Sequence, residues 1–191
     1  MRSAIPVEHR VLGLDRRTIT PAVIVAAIVT FYAVLIPYVD GLVDHDSAVE
    51  AGTSLVIGGD VTIVPPAGWE VTDRTALDAG SLELHNSGII VNANVGPFAG
   101  ELDELLAYAD GIVDDAETGV AHHEASSIVA ADGTAGLEEH WDGVNTEGLL
   151  AVFSDGTLGV VIAVEGPEPM VTRHQKELDQ MIASVRFGAD S

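Results

Sequence analysis

VTIVPPAGWEV, residues Val61 to Val71, starts as a strand, breaks on two prolines, passes a glycine and resumes on a tryptophan. Val61 to Val64 suits a short strand of β-branched residues. Pro65 and Pro66 end it, because proline has no N–H to give a ladder. Gly68 permits the turn, and Trp69 offers a large apolar ring. That ring can anchor a partner or roof a core, and the second reading is preferred here, as it is for Trp141. Downstream, SLELH (Ser81 to His85) alternates apolar and polar residues, as a half-buried strand does. Asn86-Ser87-Gly88 is turn chemistry, and IIVNANV (Ile89 to Val95) alternates again, with Ile89, Val91, Ala93 and Val95 on one face. Together they predict a hairpin.

A helix follows. Glu101, Asp103 and Glu104 crowd its first turn, where the helix dipole favours acids. Leu102, Leu105, Leu106, Ala109, Ile112 and Val113 recur at helical spacing and form a packing stripe. Glu124 to Val129 is β-permissive, and Thr134 to Trp141 sets Leu137, Glu139 and Trp141 on one parity. Thr146 to Phe153 and Thr157 to Glu165 flank Asp155-Gly156, a strong hairpin signal. In the last of these strands both parities are apolar, which predicts a sheet covered on both faces. After Gly166-Pro167 a final helix carries Met170, His174, Leu178, Met181, Ile182 and Val185 on one stripe. The order predicts an α+β domain, an antiparallel β-sheet flanked by helices as an α/β/α sandwich.

Upstream of the opening stretch the character changes. Residues 18–39, TITPAVIVAAIVTFYAVLIPYV, carry no charge. As a helix they would span roughly 33 Å, against ~30 Å for a bilayer's hydrocarbon core. Apolarity on every face argues against a buried soluble helix. A cleaved signal peptide is the rival, but the apolar run is long for one and no A-x-A site follows closely. A retained transmembrane helix over 18–39 is therefore expected. Arg2, Arg10, Arg16 and Arg17 precede it, while Asp40, Asp44, Asp46 and Glu50 follow. The arginines predict a cytoplasmic N-terminus over 1–17 and a C-terminal domain outside the cell membrane. Residues 40–59 read as an acidic linker, with the extracytoplasmic domain over 60–188. The Asp44-His45-Asp46 triplet within the linker is read as solvated chain rather than a cation site.

The charge balance narrows the partners. Thirty acids face eight lysines and arginines, for a formal net charge of −22. Such a surface repels phosphates, so nucleic-acid binding is not expected. The acidity fits either adaptation to high salt or a compositional bias. With no cysteine, disulfides, thiolate metal sites and a cysteine nucleophile are excluded.

A strand ending in P-x-G-W, a hairpin, a helix, a meander and a C-terminal helix closing on S-V-R-F resemble the PsbP/Mog-type α/β/α sandwich family. That family includes a photosystem II extrinsic protein, a Ran-binding nuclear-transport factor and LpqN-like proteins of actinobacterial envelopes. The matching residues are Pro66, Gly68 and Trp69 at the front and Ser184, Val185, Arg186 and Phe187 at the back. The likeness spans roughly residues 60–188. It implies a binding or assembly role without catalysis, and it carries no catalytic residue, cofactor or metal ligand onto this chain.

The nearest approach to a reactive constellation is His122-His123-Glu124 with Glu138, Glu139 and His140. Histidine and carboxylate are zinc ligands. Adjacent strand residues point to opposite faces, however, so His122 and His123 cannot simply share an ion. No H-E-x-x-H, G-x-S-x-G, dinucleotide fingerprint or phosphate loop occurs. No catalytic, cofactor or metal residue is therefore assigned. The expected function is a single-pass, membrane-anchored, non-catalytic binding or accessory protein of the cell envelope, acting through protein or lipid-linked partners. The alternative is a metal-dependent hydrolase centred on His122, His123 and His140.

Overall fold

The structure, a computed structural model, describes residues 48–117 and 119–188 and, separately, 10–11 and 14–15. Its architecture follows from EGLLAVFS, Glu147–Ser154, which is buried at each position from Gly148 to Phe153. Strand neighbours face opposite ways, so such a run needs cover on both sides. Leu149, Ala151 and Phe153 enter one apolar core, and Leu150 and Val152 enter a second.

The strands are β1 (Leu55–Ile57), β2 (Val61–Ile63), β3 (Glu70–Val71), β4 (Ser81–Asn86), β5 (Ile89–Pro97), β6 (Ala121–His122), β7 (Ser126–Val129), β8 (Ala135–Asp142), β9 (Glu147–Ser154), β10 (Leu158–Gly166) and β11 (Arg186–Phe187). The helices are α1 (Leu102–Ala116) and α2 (Glu168–Ala183). The main sheet is antiparallel in the order β3-β4-β5-β10-β9-β8, and β6 and β7 share the outer edge of β8. A smaller antiparallel sheet, β11-β2-β1, pairs within itself and sends Leu55, Ile57, Val61 and Ile63 into the core that holds Leu149 and Phe153.

Helix α1 buries Leu105, Leu106, Ala109 and Val113 on the face that holds Trp141, Leu150 and Val152. Helix α2 buries Val171, Leu178, Met181 and Ile182 on the other, with Trp69, Leu149 and Phe153. The helices thus cover opposite faces of an antiparallel sheet, an α+β sandwich. Both hairpins form where their turn residues are. Ser87 and Gly88 take φ of 52° and 81° between β4 and β5, the two left-handed positions of a tight hairpin turn. Between β9 and β10, Asp155 accepts from the backbone of Thr157 and Leu158, both at 2.8 Å.

The two short motifs meet in space. Arg186 and Phe187 pair with Thr62 and Val61, and the Ser184 hydroxyl accepts from the Val64 backbone at 2.8 Å. Gly68 sits at φ 87°, and Trp69 is fully buried.

The boundary expected at residue 60 moves. Val49 donates to the Trp69 carbonyl at 2.7 Å and accepts from Gly68 at 3.1 Å, and Ala48 bridges Glu70. Val49, Leu55 and Ile57 are buried. The C-terminal part of the expected 40–59 linker is therefore domain. Its apolar positions are spread among glycines and acids, and only pairing with β2 and residues 68–70 gives them a buried face. The remainder of that linker, to residue 47, and the apolar segment 18–39 lie outside the described residues. In residues 1–17 only a two-residue ladder is described, Arg10–Val11 against Leu14–Asp15. No helix among the described residues is long and apolar enough to cross a membrane.

Candidate functional site

Helix α1 turns an acidic edge toward the sheet. Asp110 and Asp114 are one turn apart and so flank the same side, next to the buried Ala109 and Val113. Across from them, His122 in β6 pairs with Trp141 in β8. Glu139 lies two residues before Trp141, on the same face and diagonal to His122. The sequence thus delivers one imidazole and three carboxylates to a single corner.

The His122 Nδ1 lies 2.6 Å from Glu139 Oε1 and 3.6 Å from Asp110 Oδ1, and its Nε2 lies 3.3 Å from Asp114 Oδ1. Glu139 is the buried polar or charged residue among the described residues, in a core that is otherwise apolar. Burial, then the Glu139 charge, hold the Asp110 carboxyl above the ordinary range, against the pull of His122. Burial acts to lower the His122 imidazole, but hydrogen bonds to Asp114 and Glu139 and the charges of Asp110 and Glu139 outweigh it, so the net shift is upward. Asp110, His122 and Glu139 form the group among the described residues whose ligand atoms come within 4.8 Å of one another.

The three histidines named from the sequence are not brought together. His123 Nε2 pairs with Asp142 at 2.9 Å, and His140 Nε2 faces Glu138 at 3.6 Å. Glu138 belongs to a different neighbourhood. Its carboxyl is raised by burial, lowered by His140 and raised again by Asp179 of α2. Glu124 is exposed. Sequence reasoning missed Asp110 and Asp114. Their spacing beside the helix stripe was a usable signal, but which histidine faced them was not.

A second feature lies at the other end of α1. Val95, Pro97, Phe98, Leu105, Tyr108 and Val161 line an open, apolar groove of about 470 Å³. Gly159 lies close beneath Phe98, since a Cβ there would come within 2.8 Å of the Phe98 Cβ. Tyr108 is left 66% exposed at the rim.

No protein-family model and no curated protein matches the sequence. Solved structures do. The chain is similar to cyanobacterial PsbP (CyanoP) from Synechocystis sp. PCC 6803, at 14% identity over 66% of this chain and 86% of that one, with a TM-score of 0.51. It is also similar to LpqN of Mycobacterium tuberculosis, described as involved in cell envelope biogenesis, at 10% identity, 75% and 90% coverage and a TM-score of 0.43. The CyanoP likeness shows a PsbP-like fold in this chain.

Proposed function

We propose that this chain is a single-pass membrane protein whose sandwich domain works outside the cytoplasm as a non-catalytic binding or accessory component of the cell envelope. The observation that carries the reading is the uncharged run over residues 18–39, with arginines before it and acids after it. The PsbP-like fold supports it by resemblance to a family of binding and assembly factors. An anchor would hold the domain near the bilayer and raise its effective concentration for neighbours there. The partner favoured by the domain's charge is a protein or lipid-linked assembly with a basic surface.

A hydrolase centred on His122, His123 and His140 is not favoured, because each imidazole takes a different carboxylate. Two experiments in intact cells test the proposal. Protease added outside should remove the domain while leaving the N-terminus protected, and crosslinking should recover an envelope or membrane neighbour. Recovery of the chain in the soluble fraction, or a protected C-terminus, would overturn the anchored reading. Crosslinking that captured no envelope neighbour would overturn the accessory role.

A further inference from the structure

Among the described residues, the corner formed by Asp110, Asp114, His122 and Glu139 has His122 as its one basic partner. Among residues 48–188 the lysines and arginines are Arg74, Arg173, Lys176 and Arg186. Arg74 lies in the short 3-10 turn Arg74–Ala76, Arg173 and Lys176 in α2, and Arg186 in β11. Helix α2 covers the opposite face of the sheet, and none of the four pairs with this corner. Even an imidazolium at His122 compensates one carboxylate of three.

Two oxygens at the corner are enclosed. The Glu139 side chain is only 9% exposed, and its partner is His122. Asp110 Oδ1 is occluded from solvent and accepts no hydrogen bond, with His122 Nδ1 at 3.6 Å as its charged neighbour, while the Asp110 side chain as a whole is 28% exposed. A buried carboxylate oxygen without a donor is costly, and it calls for a positive group at that point.

We propose that Asp110 Oδ1, His122 Nδ1 and Glu139 Oε1 form a binding site for one divalent cation of the zinc class, with Asp114 as the residue that orients the imidazole. The three atoms already lie within 4.8 Å of one another. One imidazole nitrogen with two carboxylate oxygens suits zinc or manganese, whereas calcium takes six to eight oxygens. Asp114, on the Nε2 side of the ring, would accept that N–H and leave Nδ1 free to bind the ion. This is the usual outer partner of a metal-bound histidine. The inference is independent of the anchored, partner-binding reading, and either can fail alone.

The test uses the full chain in detergent, stripped of metal by a chelator and titrated with zinc, manganese and calcium in a calorimeter. The expected result is one zinc per chain, binding more tightly than calcium. Asp110→Asn, His122→Gln and Glu139→Gln should each weaken zinc by about tenfold or more, with Asp114→Asn at the lower end of that range. His123→Gln and His140→Gln should leave it unchanged. Zinc should raise the melting temperature of the unaltered chain but not that of Glu139→Gln, and Glu139→Gln without metal should melt no lower than the parent. No saturable zinc binding overturns the proposal, as does binding indifferent to Asp110→Asn or equally sensitive to His123→Gln. A fall in metal-free stability for Glu139→Gln together with zinc-insensitive melting of the parent would show that the corner is structural.

Discussion

At the scale of single residues, the two tryptophans do the same work on opposite faces. Trp69 is fully buried in the α2-side core, and its Nε1 reaches Glu177 Oε2 at 3.4 Å. Replacing it with alanine should cost about 3–5 kcal/mol, read as a fall in the urea midpoint with little change in slope. Glu177 also holds His174. Its carboxyl lies below the ordinary range because His174 binds it, against a burial effect, with help from the Trp69 indole. A lowered carboxyl stabilises the fold above the unfolded value of 4.5, and that contribution is lost as pH falls through the lower folded value. Glu177→Gln should therefore cost less than about 0.5 kcal/mol at neutral pH, since the side chain is part exposed. The parent and variant should converge in melting temperature under acid. On the α1 side the Trp141 indole lies over Gly148, where any Cβ would overlap Cε2, Cζ2 and the Val164 carbonyl. Gly148→Ala should destabilise by about 1–3 kcal/mol, checked by thermal unfolding. Trp141 shares a legible parity with Leu137 and Glu139 in β8; that a glycine on the next strand is its seat became visible only in the register of β8 and β9.

At the scale of elements, turn chemistry and periodicity place most of the fold. Asn86-Ser87-Gly88 and Asp155-Gly156 each close the hairpin that their residue types demand, and the α1 and α2 stripes face apolar cores, except that Ile112 is exposed and Val185 is buried just beyond the end of α2. Gly156 has φ 91° and open space beside it, so its demand is conformational rather than steric. Gly156→Ala should cost about 1–2 kcal/mol, measured by denaturant unfolding, with the folded-state spectrum unchanged. Two elements were illegible for a physical reason. β1 is three residues long, set among glycines, and earns its burial only by pairing with β2. The expected β-permissive run Glu124 to Val129 holds β7, Ser126–Val129, but β6, which shares the edge of β8 with it, is two exposed residues at Ala121–His122 and too short to show a period. The β6–β8 register sets His122 opposite Trp141, and strand alternation turns His123 the other way, toward Asp142.

At the scale of the whole molecule, charge dominates. Every acid–base pair within 4 Å among the described residues uses a histidine, and none uses lysine or arginine. With a net charge of −22, the compact state repels itself through long-range fields. Salt shortens the screening length from about 30 Å at 0.01 M to about 3 Å at 1 M, so the melting temperature should rise with sodium chloride. A rise that levels off near physiological ionic strength fits a compositional bias; a continued need for molar salt fits adaptation to it. The sequence alone determined the antiparallel α+β sandwich, its hairpins and helices, and the strongly acidic charge, because these depend on local period, turn geometry and net composition. The tertiary structure decided where the domain begins, which histidine stands alone with which carboxylates, and that Asp110 and Asp114 belong with them. Those facts depend on strand register and on which helix covers which face, and contacts between residues far apart in the chain leave no periodic trace in it.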